Sequence, residues 1–266
     1  SIPISVLLGL FCGKMLNMAK GREMITSYII AFFMNGLYQL VVLYMMGPVI
    51  PIKHASIKLP RGYGIRNTVS LLNMRQALDN LWAIRIGGVK IPVLTLLITG
   101  LLCLFIIWFR KTKLGQDMRA VGQDMDVARD AGIKVERTRI IAIVLSTVCA
   151  GIGMVIYLQN MGNIATYSSH TQIGMFCIAA LLVGGASVDK ASIGNAFLGV
   201  VLFHLMFIVA PSAGAKITGD SMIGEYFRVF VSYGVITLAL IMYETKKRIA
   251  KGKAGEQLKL DQSEEE

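Results

Sequence analysis

The stretch IPVLTLLITGLLCLFIIWF, residues Ile91–Phe109, decides the fold class of this chain. It carries no charged residue, and about 20 apolar residues in a helix cross the hydrocarbon core of a bilayer. Comparable runs occur at Tyr28–Ile50, Ile140–Gln159, Ile193–Ala210 and Phe227–Tyr243. In hydrocarbon a helix satisfies all its backbone polar groups within one segment. A transmembrane barrel would show short alternating segments, which are absent. The chain reads as an all-α polytopic membrane protein. With the partial segment Ile2–Cys12 and the short run Ile173–Ser187, a helical bundle of about six to seven spans is expected.

Composition agrees. The 266 residues are 55% hydrophobic and 16% charged, with mean hydropathy +0.61, whereas a soluble domain carries about 25% charge. The net charge of +11 fits loops held at the cytoplasmic face better than nucleic-acid binding. Cys12, Cys103, Cys149 and Cys177 are scattered singly through apolar runs, with no metal-ligand spacing and no disulfide framework. The chain opens on Ser1 and runs directly into Ile2–Cys12, which has no basic leader. A signal peptide is not expected, and further spans upstream are.

Charge sets a topology. Basic residues cluster after the first segment (Lys14, Lys20, Arg22), in the loop Arg110–Arg139 and after Lys246. Placing these clusters in the cytoplasm satisfies the positive-inside tendency, provided Ile173–Ser187 crosses the membrane. That run ends in Gly184-Gly185, which reads equally as a broken or re-entrant helix or as a short crossing with a tight turn. The membrane-spanning body would cover 1–245, and the acidic-ended segment 246–266 reads as a disordered cytoplasmic tail. The outer loop 51–90 breaks the charge rule. It holds Lys53, Lys58, Arg61, Arg66, Arg75, Arg85 and Lys90 against Asp79 alone. Within it, Leu71, Met74, Leu78, Leu81 and Trp82 recur at helical spacing, so Ser70–Ala83 is expected to be a short amphipathic helix.

No Asp, Glu, Lys or Arg lies mid-span, which argues against proton relays. Gly184-Gly185 is followed by Ala186-Ser187-Val188-Asp189-Lys190 rather than by the Gly-Lys-Ser/Thr of a phosphate loop. No cofactor or metal is expected, and any use of ATP must come from another subunit. The spans do carry neutral polar groups. Asn35 and Gln39 share a helix face, Asn195 and His204 share a later span, and Ser232, Tyr233 and Thr237 mark the last. They line a path for a polar solute, or they join helices by hydrogen bonds. Small residues at Gly9 and Gly13, and at Ala142, Ser146 and Ala150, have the spacing of close helix contacts.

Between two spans lies KLGQDMRAVGQDMDVARDAGI, residues Lys113–Ile133. Asp124 suits a helix N-cap, Met125–Ala131 has helical composition, and Gly132 suits the position after a helix that needs a positive φ. The expectation is a short helix between two glycine joints, Gly122 and Gly132, with Val127, Ala128 and Ala131 forming an apolar face for a partner.

Lys113-Leu114-Gly115, Arg119-Ala120-Val121-Gly122, Ala128-Arg129 and Gly132-Ile133 resemble the cytoplasmic loop of bacterial ABC importer permeases. The subfamily is the one serving simple sugars, nucleosides and branched-chain amino acids. Ala179–Ser187 resembles its second signature, and the likeness runs from about Ile91 to Tyr243. The resemblance implies that the loop helix docks on a cytoplasmic ATP-binding subunit, with Arg119, Gly122, Asp124, Ala128, Arg129 and Gly132 on the docking element. It implies a second permease copy or paralogue and an extracytoplasmic solute-binding protein as partners, in the bacterial inner membrane. A simple sugar is the first expectation for the solute and a nucleoside the next. A secondary transporter working alone is the rival reading.

Overall fold

The computed structural model describes residues 2–19, 21–52, 57–60, 62–72, 75–86, 89–187 and 190–220, with scattered helical positions between 223 and 245. Ser232, Glu225, Arg228, Glu244 and the tail 246–266 lie outside the described residues, as does Met74. Two compact units, Ser1–Tyr167 and Ser168–Glu266, are described in turn.

The first unit holds α1 (Ile2–Met18), α2 (Glu23–Leu40), α3 (Ala77–Leu81), α4 (Val93–Lys111), α5 (Lys113–Gln123), α6 (Met125–Asp130) and α7 (Val135–Asn160). The second holds α8 (Ser169–Val183) and α9 (Ile193–Thr218). Helix α2 closes in a π-helical turn, Val41–Met45. Four of these helices, α2 with its π turn, α4, α7 and α9, are long and apolar enough to cross a membrane; α1 and α8 are shorter apolar helices. The protein is a mostly helical, multi-span membrane protein. Its apolar surface is turned outward: no residue of α4 is buried, and Leu101, Leu104 and Trp108 are exposed. In water this would be prohibitive, and in a bilayer it is what lipid contact requires.

Helices α1 and α7 pack antiparallel. Thr147 Oγ1 donates to Ser5 O at 3.1 Å near one end, and Asn17 Nδ2 donates to Glu136 O at 2.9 Å near the other. Glycine permits the approach. A Cβ on Gly9 would stand 2.5 Å from Thr147 Oγ1 and 2.8 Å from Val144 Cα, and one on Gly13 would stand 3.2 Å from Ile140 Cα. The Gly9 and Gly13 expectation therefore has its structural reason, but its partner differs from the small-residue stripe. Ser146 and Ala150 are exposed, and the glycines meet Ile140, Val144 and Thr147 instead. Small residues on one helix make room for large ones on the other, so a second small stripe is not needed.

The span ends sort into two faces of this unit. On one, Glu23 at the start of α2 pairs with Arg139 in α7 at 3.1 Å, beside the α5–α6 loop. On the other, Tyr38 near the end of α2 donates to Thr166 O at 2.9 Å, and Tyr167 donates to Ile65 O at 2.7 Å. The charge-rich loop and the loop 51–90 thus lie at opposite ends of the helices.

The loop 51–90 corrects two expectations. It is not wholly helical: β1 (Thr68–Ser70) pairs antiparallel with β4 (Asn163–Ala165), and β2 (Ala83–Ile86) pairs with β3 (Val89–Pro92). The fold is therefore mostly helical rather than all-α. The expected helix Ser70–Ala83 also shrinks to the five residues Ala77–Leu81. Tertiary partners outcompete the local periodicity. Gln76 sits at φ +56°, its N–H donates to Gln159 O at 2.8 Å, and Leu78 N–H donates to Gln159 Oε1 at 2.9 Å. Asp79, only 7% exposed, accepts from Thr95 Oγ1 at 2.5 Å, and Gln159 Nε2 reaches Thr95 at 3.4 Å. This buried polar node ties the loop to the start of α4 and the end of α7.

In the second unit α8 and α9 form an antiparallel hairpin. Phe176, Phe203 and Phe207 pack with ring centroids 5.3–5.8 Å apart, over buried Ala179 and Ala180. At the turn, Gly184 caps α8 and Gly185 takes φ +82°. A Cβ on Gly184 would collide with Asn195 O, and one on Gly199 with Ala180 O. The Gly184-Gly185 break ends α8, and α9 begins at Ile193. Pro211 lies inside α9, which continues to Thr218 and ends at Gly219 with φ +75°.

Candidate functional site

The loop between α4 and α7 is built from corners. Thr112 caps α5: its Oγ1 accepts from Gly115 N–H at 3.3 Å and donates to Phe109 O at 2.6 Å. Gly115 is required here, because a Cβ would collide with Phe109 O and stand 2.9 Å from Arg110 Cα. Neither residue was singled out as a site, although a Thr three before a Gly at the end of an apolar run is a readable corner signal.

Asp124 serves two helices. Its extended backbone (φ −152°, ψ 121°) ends α5, donating to Ala120 O at 3.1 Å. Its Oδ1 opens α6, accepting from Asp126 N–H at 2.9 Å and Val127 N–H at 3.1 Å. Those are two of the donors a helix start leaves unpaired. At the other end Gly132 takes φ +81°, and Ile133 N–H bonds to Ala128 O at 3.0 Å, a glycine-terminated helix end. The expected glycine joint at Gly122 is not found. Gly122 lies within α5, and Asp124 makes the bend.

The apolar face divides in two. Ala128, 3% exposed, packs with Val121 of α5 and Val135 of α7 in a small core of the loop's own. Val127, 65% exposed, points away from that core, and Met125 is also exposed. A hundred degrees per residue puts neighbours on different faces, so Ala128 supports the helix from behind while Val127 is offered outward.

Arg129 holds α6 to α7. Its Nη1 lies 3.2 Å from Asp126 Oδ1 and its Nη2 3.2 Å from Glu136 Oε1. Together with the Glu23–Arg139 pair, these groups line an open cleft of about 180 Å³ between the start of α2, α6 and the start of α7. Glu136 and Glu23 were not singled out as site residues. Glu136 lies seven residues from Arg129 across a helix boundary, and only the fold brings Glu23 to Arg139, 116 positions away. Arg119 is exposed on α5.

The span-embedded polar residues meet different fates. Asn35 and Gln39 are half-buried in α2, and Asn35 Oδ1 is buried with no hydrogen-bond partner among the described residues. Asn195 Nδ2 donates to Gly184 O at 3.0 Å and its Oδ1 accepts from Ser192, so its hydrogen bonds go into the hairpin turn. His204 is exposed on α9, with Nδ1 at 3.1 Å from Val200 O of its own helix. Among the described residues no three His, Cys, Asp or Glu gather to hold a metal.

Long apolar helices carrying a self-supported, doubly capped helix at one end define a multi-span membrane protein with a short built helix in the loop between two spans. A family profile described as the permease component of the branched-chain amino acid transport system matches residues 1–241, and the chain belongs to that family of ABC permeases. Its members are non-catalytic transport subunits. The chain is 29% identical over 63% of its length to the nucleoside ABC transporter permease of Lactococcus lactis subsp. cremoris, covering 42% of that protein. It is 29% identical over 60% of its length to the xylose transport system permease of Haemophilus influenzae, covering 40% of it. It is 28% identical over 60% of its length to the L-arabinose transport system permease of Escherichia coli, covering 47% of it. The chain thus spans less than half the length of these relatives. No solved structure matches it.

Proposed function

We propose that this chain is permease sequence of a bacterial ABC importer that carries a small polar solute inward by alternating access. The observation that carries the reading is α6, a six-residue helix too short to stand alone, yet capped by Asp124 and by the Gly132 turn and buttressed by Val121, Ala128 and Val135. Such investment in a surface helix fits a contact that must bear load. In this proposal Met125 and Val127 meet a cytoplasmic ATP-binding subunit, with Arg119 and Arg129 beside them. Asp124, Gly122, Ala128 and Gly132 act behind the contact by fixing the helix.

The rest of the proposal follows from that contact. Residues 1–245 form the membrane body, with about six to seven crossings counting α1, α8 and the run after 223. The α5–α6 loop and the tail 246–266 face the cytoplasm of a bacterial inner membrane, and the loop 51–90 faces outward. A second permease copy or paralogue completes the pore, and an extracytoplasmic binding protein delivers the solute. A sugar is the first expectation and a nucleoside the next, in keeping with the printed names of the relatives. Asn35 and Gln39 line the path; a buried acceptor without a donor costs about 1–3 kcal/mol, which a solute hydroxyl in transit would offset. Asn195, which bonds into the α8–α9 turn, and His204 are further polar groups of the α9 span.

The test is reconstitution with and without the partner ATPase and binding protein. ATP-dependent uptake only in the complete assembly is expected, and Arg129→Glu should hydrolyse ATP with little uptake while still inserting. Solute transport by the chain alone in liposomes would overturn the reading in favour of a secondary transporter.

A further inference from the structure

The outer loop's excess of positive charge contradicts the positive-inside tendency, and the structure supplies a reason for it. Asp79 is the sole acid in residues 51–90, and it is buried against Thr95. A single acid does not offset the seven basic residues of that segment, and Arg75 and Arg85 are exposed. The β2–β3 register sets Arg85 opposite Lys90, two cationic residues on one rung.

The same surface is apolar. Leu81 is 73% exposed, Trp82 62% and Ile84 50%. Residues Leu81–Ile84 lead into the β2–β3 hairpin, which runs directly into α4 at Val93. Helix α4 continues the exposed apolar surface through Leu96 and Leu97. The Asp79–Thr95 hydrogen bond fixes α3 at the first turn of that helix, so this surface lies at the depth where a span leaves the hydrocarbon. Tryptophan prefers that depth, and arginine is suited to binding phosphate there.

We infer that α3 and the β2–β3 hairpin form an interfacial anchor: Leu81, Trp82 and Ile84 enter the acyl boundary, and Arg75 and Arg85 bind the phosphates of anionic lipid headgroups. The occupant is lipid rather than a protein partner because the patch is continuous with the lipid-exposed flank of α4 and combines exposed cations with exposed apolar groups. The inference needs only the membrane location of the chain and does not depend on the solute or on the ATPase.

The chain has two tryptophans, Trp82 and Trp108, so Trp108→Phe leaves Trp82 as the sole reporter. The full chain is reconstituted in phosphatidylcholine vesicles with or without phosphatidylglycerol, using acyl chains brominated near the headgroup. Quenching of Trp82 in both lipids is expected, stronger when the brominated lipid is phosphatidylglycerol. A basic residue near an anionic surface changes lipid preference about fivefold, so Arg75→Gln and Arg85→Gln should each remove about that much of the phosphatidylglycerol preference. A Trp82 that is unquenched, or quenched only after a soluble partner is added, overturns the anchor. Equal quenching by both lipids in the Trp108→Phe background overturns the headgroup site, and this comparison does not depend on how the arginine variants fold.

Discussion

Replacing Asp124 with Ala isolates what holds helix α6. The carboxylate accepts from two N–H groups, at 2.9 and 3.1 Å, and α6 has only six residues. Losing an N-cap acceptor costs about 1 kcal/mol, with a range of about 0.5–2. Helix α6 has no long ladder to absorb that loss; its C-terminal bonds are Ala131 N–H to Val127 O at 3.0 Å and Ile133 N–H to Ala128 O at 3.0 Å. Its opening should therefore become about fivefold more frequent, since 1.4 kcal/mol is a factor of ten. The assay is native-state hydrogen exchange by mass spectrometry on the full chain in detergent, reading peptides that cover 124–133. Asp124→Ala should exchange there about fivefold faster, with α7 and α9 peptides unchanged. Asp124→Asn keeps a side-chain acceptor and should stay close to the parent. If Asp124→Ala exchanges at the parent rate, the cap does not hold the helix. If Asp124→Asn is as fast as Asp124→Ala, the negative charge at the helix start matters rather than the geometry.

Two further outcomes follow from the packing. Gly199→Ala sets a methyl against Ala180 O in the α8–α9 hairpin, while Gly100→Ala on α4 meets nothing within 4 Å. The first should lower stability in detergent by about 1–3 kcal/mol and the second should not, read as melting temperatures; equal melting of both would refute the close crossing. Asp79→Ala removes the acceptor of Thr95 and should loosen the loop 51–90 by about 1–3 kcal/mol. Limited proteolysis between residues 57 and 92 should speed up, and Asp79→Asn should fall between the two; an unchanged cleavage rate for Asp79→Ala would mean that the node does not hold the loop.

Much of the α5–α6 loop was legible in its sequence because caps are local. Asp124 and Gly132 each need only neighbours within four or five residues, and both take the expected roles. Gly122 failed because a glycine inside a good helical context stays helical when the next bend is made by another residue. Ser70–Ala83 failed for the opposite reason. Its apolar spacing was real, but Gln159 and the β4 strand compete for the same backbone donors, and those partners come from the far end of α7.

The sequence alone determined that the chain lives in a membrane, since long uncharged apolar runs have no other stable environment, and it determined where a short capped helix interrupts them. Tertiary structure decided which residues that helix offers and which it hides: Val127 outward, Ala128 against Val121 and Val135. It also brought Glu136 to Arg129, Glu23 to Arg139 and Asp79 to Thr95. Apolar length is a property of a segment and can be summed along the chain. A polar group's partner depends on which span ends the fold brings to the same face, and that is set only when the helices pack.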